Sequence, residues 1–143
     1  MSEKYYIDWN TFHQDVKQLA ARLKNEGRFD KIVAISRGGL LPAGILAYEL
    51  NIRHTEVINI LSYDEGEARR RDEDVEILSS VSACDEHTLI VDDLSDSGRT
   101  CRLLKHKFPS AHFASVYVKA PSLDLVDSYS RQVPEDWIVF PWD

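Results

Sequence analysis

The sequence predicts an α/β domain, a mainly parallel, twisted sheet flanked by helices. Two observations carry that expectation. Short apolar and β-branched runs alternate along the chain with stretches of helical periodicity. The breaks between them collect glycine, proline and small polar residues. With 143 residues, 43% hydrophobic and 29% charged, residues 1–143 suit one domain with a real core.

The elements follow in order. From Thr11 to Asn25, Phe12, Val16, Leu19, Ala20 and Leu23 recur at helical spacing, with Asn10 or Thr11 as the cap and Gly27 at the end. Lys31 to Ser36 contains Ile32-Val33-Ala34-Ile35, a buried strand broken by Arg37-Gly38-Gly39. A second helix, about Leu41 to Leu50, puts Pro42 in its first turn, where a missing N–H is tolerated. The β-branched run from His54 to Ser62 is another strand. Between Asp64 and Glu76 only Gly66, Ala68 and Val75 are uncharged, so this stretch has little to bury and reads as a mobile loop or charged hairpin. His87 to Val91 is a third strand and Thr100 to Phe108 a third helix, stopped by Pro109. Phe113 to Val118 is a fourth strand, and a last short one lies near Trp137 to Phe140. Open parallel sheets bind ligands at the carboxyl ends of their strands. Arg37, Asp92 and Lys119 each follow an expected strand, so all three fall on that edge.

The net charge of −7 argues against non-specific nucleic-acid binding. No apolar run approaches the roughly 20 residues of a membrane span, and the N-terminus lacks a secretory layout. A soluble cytoplasmic protein is expected. Cys84 and Cys101 form no C-x-x-C pair and read as reduced thiols. His13, His54, His87, His106 and His112 show no metal-ligand spacing.

The chemistry concentrates in Leu89-Ile90-Val91-Asp92-Asp93-Leu94-Ser95-Asp96-Ser97-Gly98-Arg99-Thr100. An apolar strand runs into two adjacent carboxylates, a small polar loop and a helix start. Backbone N–H groups of the loop, with the Ser97 and Thr100 hydroxyls, can converge at a helix N-terminus, a favourable place for a phosphate. Gly98 permits close backbone approach, while Lys105, His106 and Lys107 oppose the other end of the helix dipole. A helix cap alone needs one acid rather than three in this order.

This segment closely resembles the signature of the type I phosphoribosyltransferases, which bind 5-phosphoribosyl-1-pyrophosphate (PRPP). It has the apolar run, the two acids and the D-[ST]-G-x-[ST] loop. Further segments resemble the bacterial xanthine-guanine branch of that family over nearly the whole chain. They are Met1-Ser2-Glu3-Lys4-Tyr5, Ser36-Arg37-Gly38-Gly39-Leu40, Asn51-Ile52-Arg53-His54, Ser62-Tyr63-Asp64, Ala111-His112-Phe113 and Pro141-Trp142-Asp143.

The resemblance implies the type I phosphoribosyltransferase fold, with a lid loop at about 62–78 and a small C-terminal hood at about 120–143. It implies a Mg²⁺-dependent transferase of purine salvage. Guanine, xanthine or hypoxanthine plus PRPP would give the nucleoside 5′-monophosphate and pyrophosphate. PRPP would be held by Arg37, Gly38, Arg69, Asp92, Asp93, Ser95, Asp96, Ser97, Gly98, Arg99 and Thr100. Asp92 and Asp93 would take the ribose hydroxyls, and Asp93 the metal, chemistry that suits a hard cation. Asp96 would be catalytic and lie near the base, where a carboxylate can accept a proton or stabilise an oxocarbenium-like carbon. Arg37 and Gly38 would bind pyrophosphate. Arg69 would reach it from the closing lid, with Arg70 and Arg71 as neighbours able to take that part. Lys119, a donor only, would select a 6-oxo group, Trp137 would stack on the base, and Ile138 would bond its edge through the backbone.

Three departures mark this chain, one of them the acidic stretch Asp72-Glu73-Asp74, which has no counterpart in the family. Arg99 stands where the bacterial enzymes carry glycine, and their pattern continues for a short tail beyond Asp143. A homo-oligomer, dimer or tetramer, is expected by analogy. Two alternatives stand: a PRPP-sensing regulator on the same fold, and a phosphoribosyltransferase for another base.

Overall fold

The structure is a computed structural model that describes residues 3–62, 75–77 and 81–143. Helix α1, Trp9–Leu23, begins two residues before the sequence expectation. Its cap is Asp8, not Asn10 or Thr11. The Asp8 carboxylate accepts the Thr11 N–H at 2.8 Å, and that bond holds it below the usual carboxylate range. Apolar periodicity marks a buried face and is silent on where an exposed first turn begins. Helix α2 spans Leu40–Glu49 and helix α3 Arg99–Lys107.

Among the described residues, eight strands run in chain order: β1 Lys4–Tyr6, β2 Lys31–Ser36, β3 His54–Ser62, β4 Val75–Ile77, β5 Thr88–Ser95, β6 His112–Val118, β7 Ser128–Gln132 and β8 Trp137–Val139. The main sheet has the order β4-β3-β2-β5-β6-β7, parallel from β3 through β7 and antiparallel only at β4. The expected lid lies largely outside the described residues.

Strand β5 corrects one expectation. It continues past Val91 to Ser95, so Asp92 stands inside the strand rather than after it. The long neighbour β6 sustains the ladder: Asp92 faces Ser115, Leu94 faces Tyr117 and Ser95 faces Val118. Arg37 and Lys119 do follow β2 and β6 directly. Strand β7, Ser-Tyr-Ser-Arg-Gln, has no apolar alternation because its inward positions, Ser128 and Ser130, are small and polar.

The sheet is buried on both faces. Ile32, Ala34, Leu89, Val91, Ala114 and Val116 pack with α1 and α2 through Val16, Leu19, Leu23 and Leu46. Val33, Ile35, Ile58, Ile90 and Phe113 pack on the other side with Cys101 and Leu104 of α3. Burying both faces explains the near-continuous apolar runs of β2 and β5.

Strands β1 and β8 form a separate two-stranded parallel sheet, pairing Lys4 with Trp137, Tyr5 with Ile138 and Tyr6 with Val139. The chain's two ends are thereby joined. Aromatic packing carries the joint onto α1: Phe140 stacks on Trp142 at 4.7 Å, and Phe12 meets Trp142 edge-on at 5.1 Å. Beneath, buried Asp15 accepts from the Tyr117 hydroxyl at 2.7 Å and from Arg131 Nε at 3.0 Å, while Arg131 also reaches the Tyr5 hydroxyl at 2.7 Å. These bonds satisfy an otherwise costly buried carboxylate. Among the described residues no helix is long and apolar enough to cross a membrane.

Candidate functional site

The site occupies the carboxyl edge of β2, β5 and β6. After β2 the chain turns sharply: the Ser36–Arg37 peptide is cis, and the Gly39 N–H donates to the Ile35 carbonyl at 2.7 Å before α2 begins. The turn lies against β5. A side chain at Gly38 would put its Cβ 2.3 Å from Asp93 Oδ2, and one at Gly39 would put it 2.3 Å from the Val91 carbonyl. Both glycines are required by close approach. Arg37 is exposed at the lip of this turn.

Asp92 and Asp93 are half-buried on the last turns of β5. Asp92 Oδ1 accepts the Asp93 N–H at 2.8 Å, and Asp93 Oδ1 accepts the Leu94 N–H at 2.7 Å. Burial, then the adjoining Asp93 carboxylate, pushes Asp92 well above the usual carboxylate range; burial raises Asp93 as well. Two crowded acids suit a hard divalent cation. Among the described residues no three His, Cys, Asp or Glu side chains cluster as a metal cage. A cation here would complete its shell with water and substrate oxygens, the habit of Mg²⁺.

The strand then delivers Asp96, Ser97 and Gly98 to the start of α3. Asp96 and Ser97 are exposed. Gly98 is buried at φ +91°, where an added Cβ would stand 2.4 Å from Leu125 Cδ1. Ser97 Oγ accepts from both the backbone N–H and Nε of Arg99 at 3.4 Å. Thr100 lies in the first turn of α3, and the basic residues Lys105, His106 and Lys107 lie in its last. The orientation of the helix dipole therefore favours an anion at the loop.

Buried Lys119 meets this loop from β6. Its Nζ stands 3.4 Å from Asp96 Oδ2 and 3.5 Å from the Glu135 carbonyl, while its backbone N–H donates to Ser95 at 3.0 Å. The following 3-10 turn, Ala120–Ser122, tucks Ser122 under the loop. Nearby, Trp137 is 62% exposed, a ring free to be covered, whereas the Ile138 side chain is buried. Trp137 N–H donates to Glu3 and Val139 accepts from Ile7, both at 2.9 Å. Parallel ladders use alternate residues, so the Ile138 amide and carbonyl turn away from β1, toward the edge of β8 that no strand among the described residues covers.

The structure thus brings Gly38 onto Asp93 and Asp96 to Lys119, and places Arg37 on the same edge. Ser95, Ser97, Gly98, Arg99 and Thr100 form the loop and helix start between them. Arg69, with Arg70 and Arg71, lies outside the described residues. Sequence reasoning missed Ser122 and the Glu135 carbonyl. Ser122 sits 26 residues from Asp96 in an unremarkable loop, and a carbonyl leaves no signature in residue type.

Comparison with known proteins agrees with this geometry. The model of the phosphoribosyl transferase domain matches residues 4–143. A xanthine-guanine phosphoribosyltransferase of Desulfotalea psychrophila is 44% identical over 140 residues, covering 97% of this chain and 86% of that protein. A crystal structure of a purine phosphoribosyltransferase from Pyrococcus horikoshii superposes with a TM-score of 0.79 at 28% identity, covering 98% of this chain and 93% of that one. A Helicobacter pylori xanthine-guanine-hypoxanthine phosphoribosyltransferase gives 0.78 at 25%, covering 98% and 94%. With its signature loop at the carboxyl edge of a parallel sheet and a family match over nearly its whole length, the chain belongs to the phosphoribosyl transferase domain family.

Proposed function

We propose that this chain is a purine-salvage enzyme that transfers the 5-phosphoribosyl group of PRPP to a 6-oxopurine: guanine, xanthine or hypoxanthine. The observation that carries the reading is the meeting of Asp96 and Lys119 at 3.4 Å beside a phosphate-type loop. In the transfer, the bond from ribose C1 to pyrophosphate breaks and a bond from C1 to a ring nitrogen of the base forms. The proton of that nitrogen must leave. Asp96, exposed at the loop, is the group to take it or to face the cationic carbon.

The other roles follow from placement. The loop Asp96–Gly98 and the first turn of α3 hold the 5-phosphate through backbone N–H groups and hydroxyls. Asp92 and Asp93 hold the ribose hydroxyls, and Asp93 would also hold Mg²⁺. Held there, the cation would supply positive charge that favours loss of the pyrophosphate. Arg37 and the open backbone at Gly38 bind the leaving pyrophosphate. Lys119 donates to the 6-oxo group, which adenine lacks. Trp137 stacks on the base, and the outward-turned Ile138 backbone bonds its edge. Residues 120–143, with β1, act as the hood, and the segment at about 62–78 as a lid carrying Arg69.

The reading carries a cytoplasmic dimer or tetramer. Helix α2 exposes Leu40, Leu41 and Tyr48, apolar surface of the kind self-association covers.

The test is a panel of bases incubated with PRPP, with and without Mg²⁺, followed by product release. Turnover of the three 6-oxopurines, with adenine inert and the metal required, is expected. PRPP binding without turnover of any base would establish a regulator instead.

A further inference from the structure

Ser122 is fully buried, and nothing in the roles above uses it. Its hydroxyl lies 2.9 Å from the Asp96 carbonyl and 2.9 Å from the Ser95 hydroxyl, itself buried. A carbonyl only accepts, so the Ser122 proton is committed to Asp96, and the Ser95 hydroxyl must donate to Ser122. The order of donors is fixed: Ser95 to Ser122 to Asp96.

These bonds close a ring. Lys119 Nζ approaches the Asp96 carboxylate at 3.4 Å. The Ser122 N–H donates to the Lys119 carbonyl at 2.9 Å, and Ser122 Oγ returns to the Asp96 backbone. The same turn carries Leu125 against Gly98 and places Ser122 Oγ 3.4 Å from where a Gly98 Cβ would stand. The phosphate side and the base side of the site therefore share one support. Asp96 is 60% exposed by its side chain, so solvent does not fix it; its backbone bond to Ser122 does.

We propose that Ser122 is a positioning residue. Oriented by Ser95, it holds the Asp96 backbone so that the carboxylate stands at a fixed place relative to the Lys119 ammonium. The inference rests on the transferase reading given above. A wandering Asp96 spoils alignment in the transition state more than it weakens ground-state binding, because the loop's phosphate contacts come from other groups.

The experiment compares Ser122→Ala, Ser122→Cys, Ser95→Ala and the double alanine variant with the unmodified chain, using guanine, PRPP and Mg²⁺. One hydrogen bond is at stake, so Ser122→Ala is expected to lower kcat about tenfold and to change KM for PRPP by less than about threefold. Ser122→Cys, which keeps only a weak donor, falls between Ser122→Ala and the unmodified chain. Ser95→Ala loses about threefold, and the double variant is no slower than Ser122→Ala, because the two hydroxyls act in series. A folded Ser122→Ala with kcat within about twofold of the unmodified chain would overturn the positioning role alone. Losses that multiply in the double variant would also overturn it. If Ser122→Ala does not fold, Ser95→Ala decides: the unmodified rate there sinks the inference. An unmodified chain without turnover sinks the transferase reading itself.

Discussion

Single side chains at this site are tied closely enough for their loss to be read in kinetics. Replacing Asp96 by Asn keeps the size and the backbone bond to Ser122 but removes the charge facing Lys119. Asp96→Asn is expected to lower kcat by about 10²-fold while the dissociation constant of PRPP moves only a few-fold. Equal losses in both would deny Asp96 a special part in the chemistry. Lys119→Ala removes a buried ammonium and leaves the Glu135 carbonyl without that donor. KM for guanine is expected to rise by about tenfold or more; an unchanged value would discredit the contact with the base. The residues gathered on this edge were legible because family signatures are written in residue types: the acids at 92, 93 and 96, the glycine at 98 and the lysine at 119. Ser122 was not, because its importance comes from a turn that folds it under the loop rather than from its neighbours in sequence.

At the scale of elements, the strand–loop–helix unit from Thr88 to Lys107 depends on how Gly98 is packed. Its φ of +91° is a conformation that L side chains seldom adopt, and Leu125 fills the space a Cβ would take. Gly98→Ala is expected to cost about 1–3 kcal/mol in stability and to weaken PRPP binding, both measurable by urea unfolding and by calorimetric titration. Unaltered binding in a destabilised chain would mean that the loop does not hold the phosphate. Strands β2, β3 and β6 and all three helices were legible to within a residue or two, because each buries an apolar face with its own period. The extension of β5 through Asp92 and Asp93 was not. There Asp92, Leu94 and Ser95 pair with β6, so hydropathy stops at Val91 while the backbone ladder goes on. Strand β7 escaped for a related reason, since Ser128 and Ser130 are buried without being apolar.

Across the whole molecule, the two edges of the sheet are specialised. The carboxyl edge holds the site, and the amino edge holds a charged clamp that secures the chain entering β5. Buried Lys31 donates to Ser82 Oγ at 2.5 Å and to the Ala83 carbonyl at 2.8 Å, and stands 3.4 Å from Glu56. Glu56 accepts the Ser82 N–H at 2.9 Å, a close bond from the Ser82 hydroxyl, and His54 Nε2 at 2.8 Å. The bonds from Ser82, above all its hydroxyl, draw Glu56 down to about 2 from an ordinary 4.5. No pattern in the sequence announced this clamp, since it joins β2, β3 and a segment some 26 residues further on. The sign of its pH dependence follows from the depressed value. The folded chain favours ionised Glu56, so its contribution is complete above about pH 4.5 and drains away as the pH falls toward 2. His54 Nε2 at 2.8 Å and the Lys31 ammonium at 3.4 Å both face the carboxylate. Glu56→Gln is therefore expected to lower Tm by about 2–6 °C at pH 6. The gap from the unmodified chain should narrow steadily between pH 5 and pH 3, because only the unmodified chain has the Glu56 contribution to lose there. Thermal melts at pH 6, 5, 4 and 3 check this, and a gap that stays constant down to pH 3 would show that the clamp holds by shape rather than by charge.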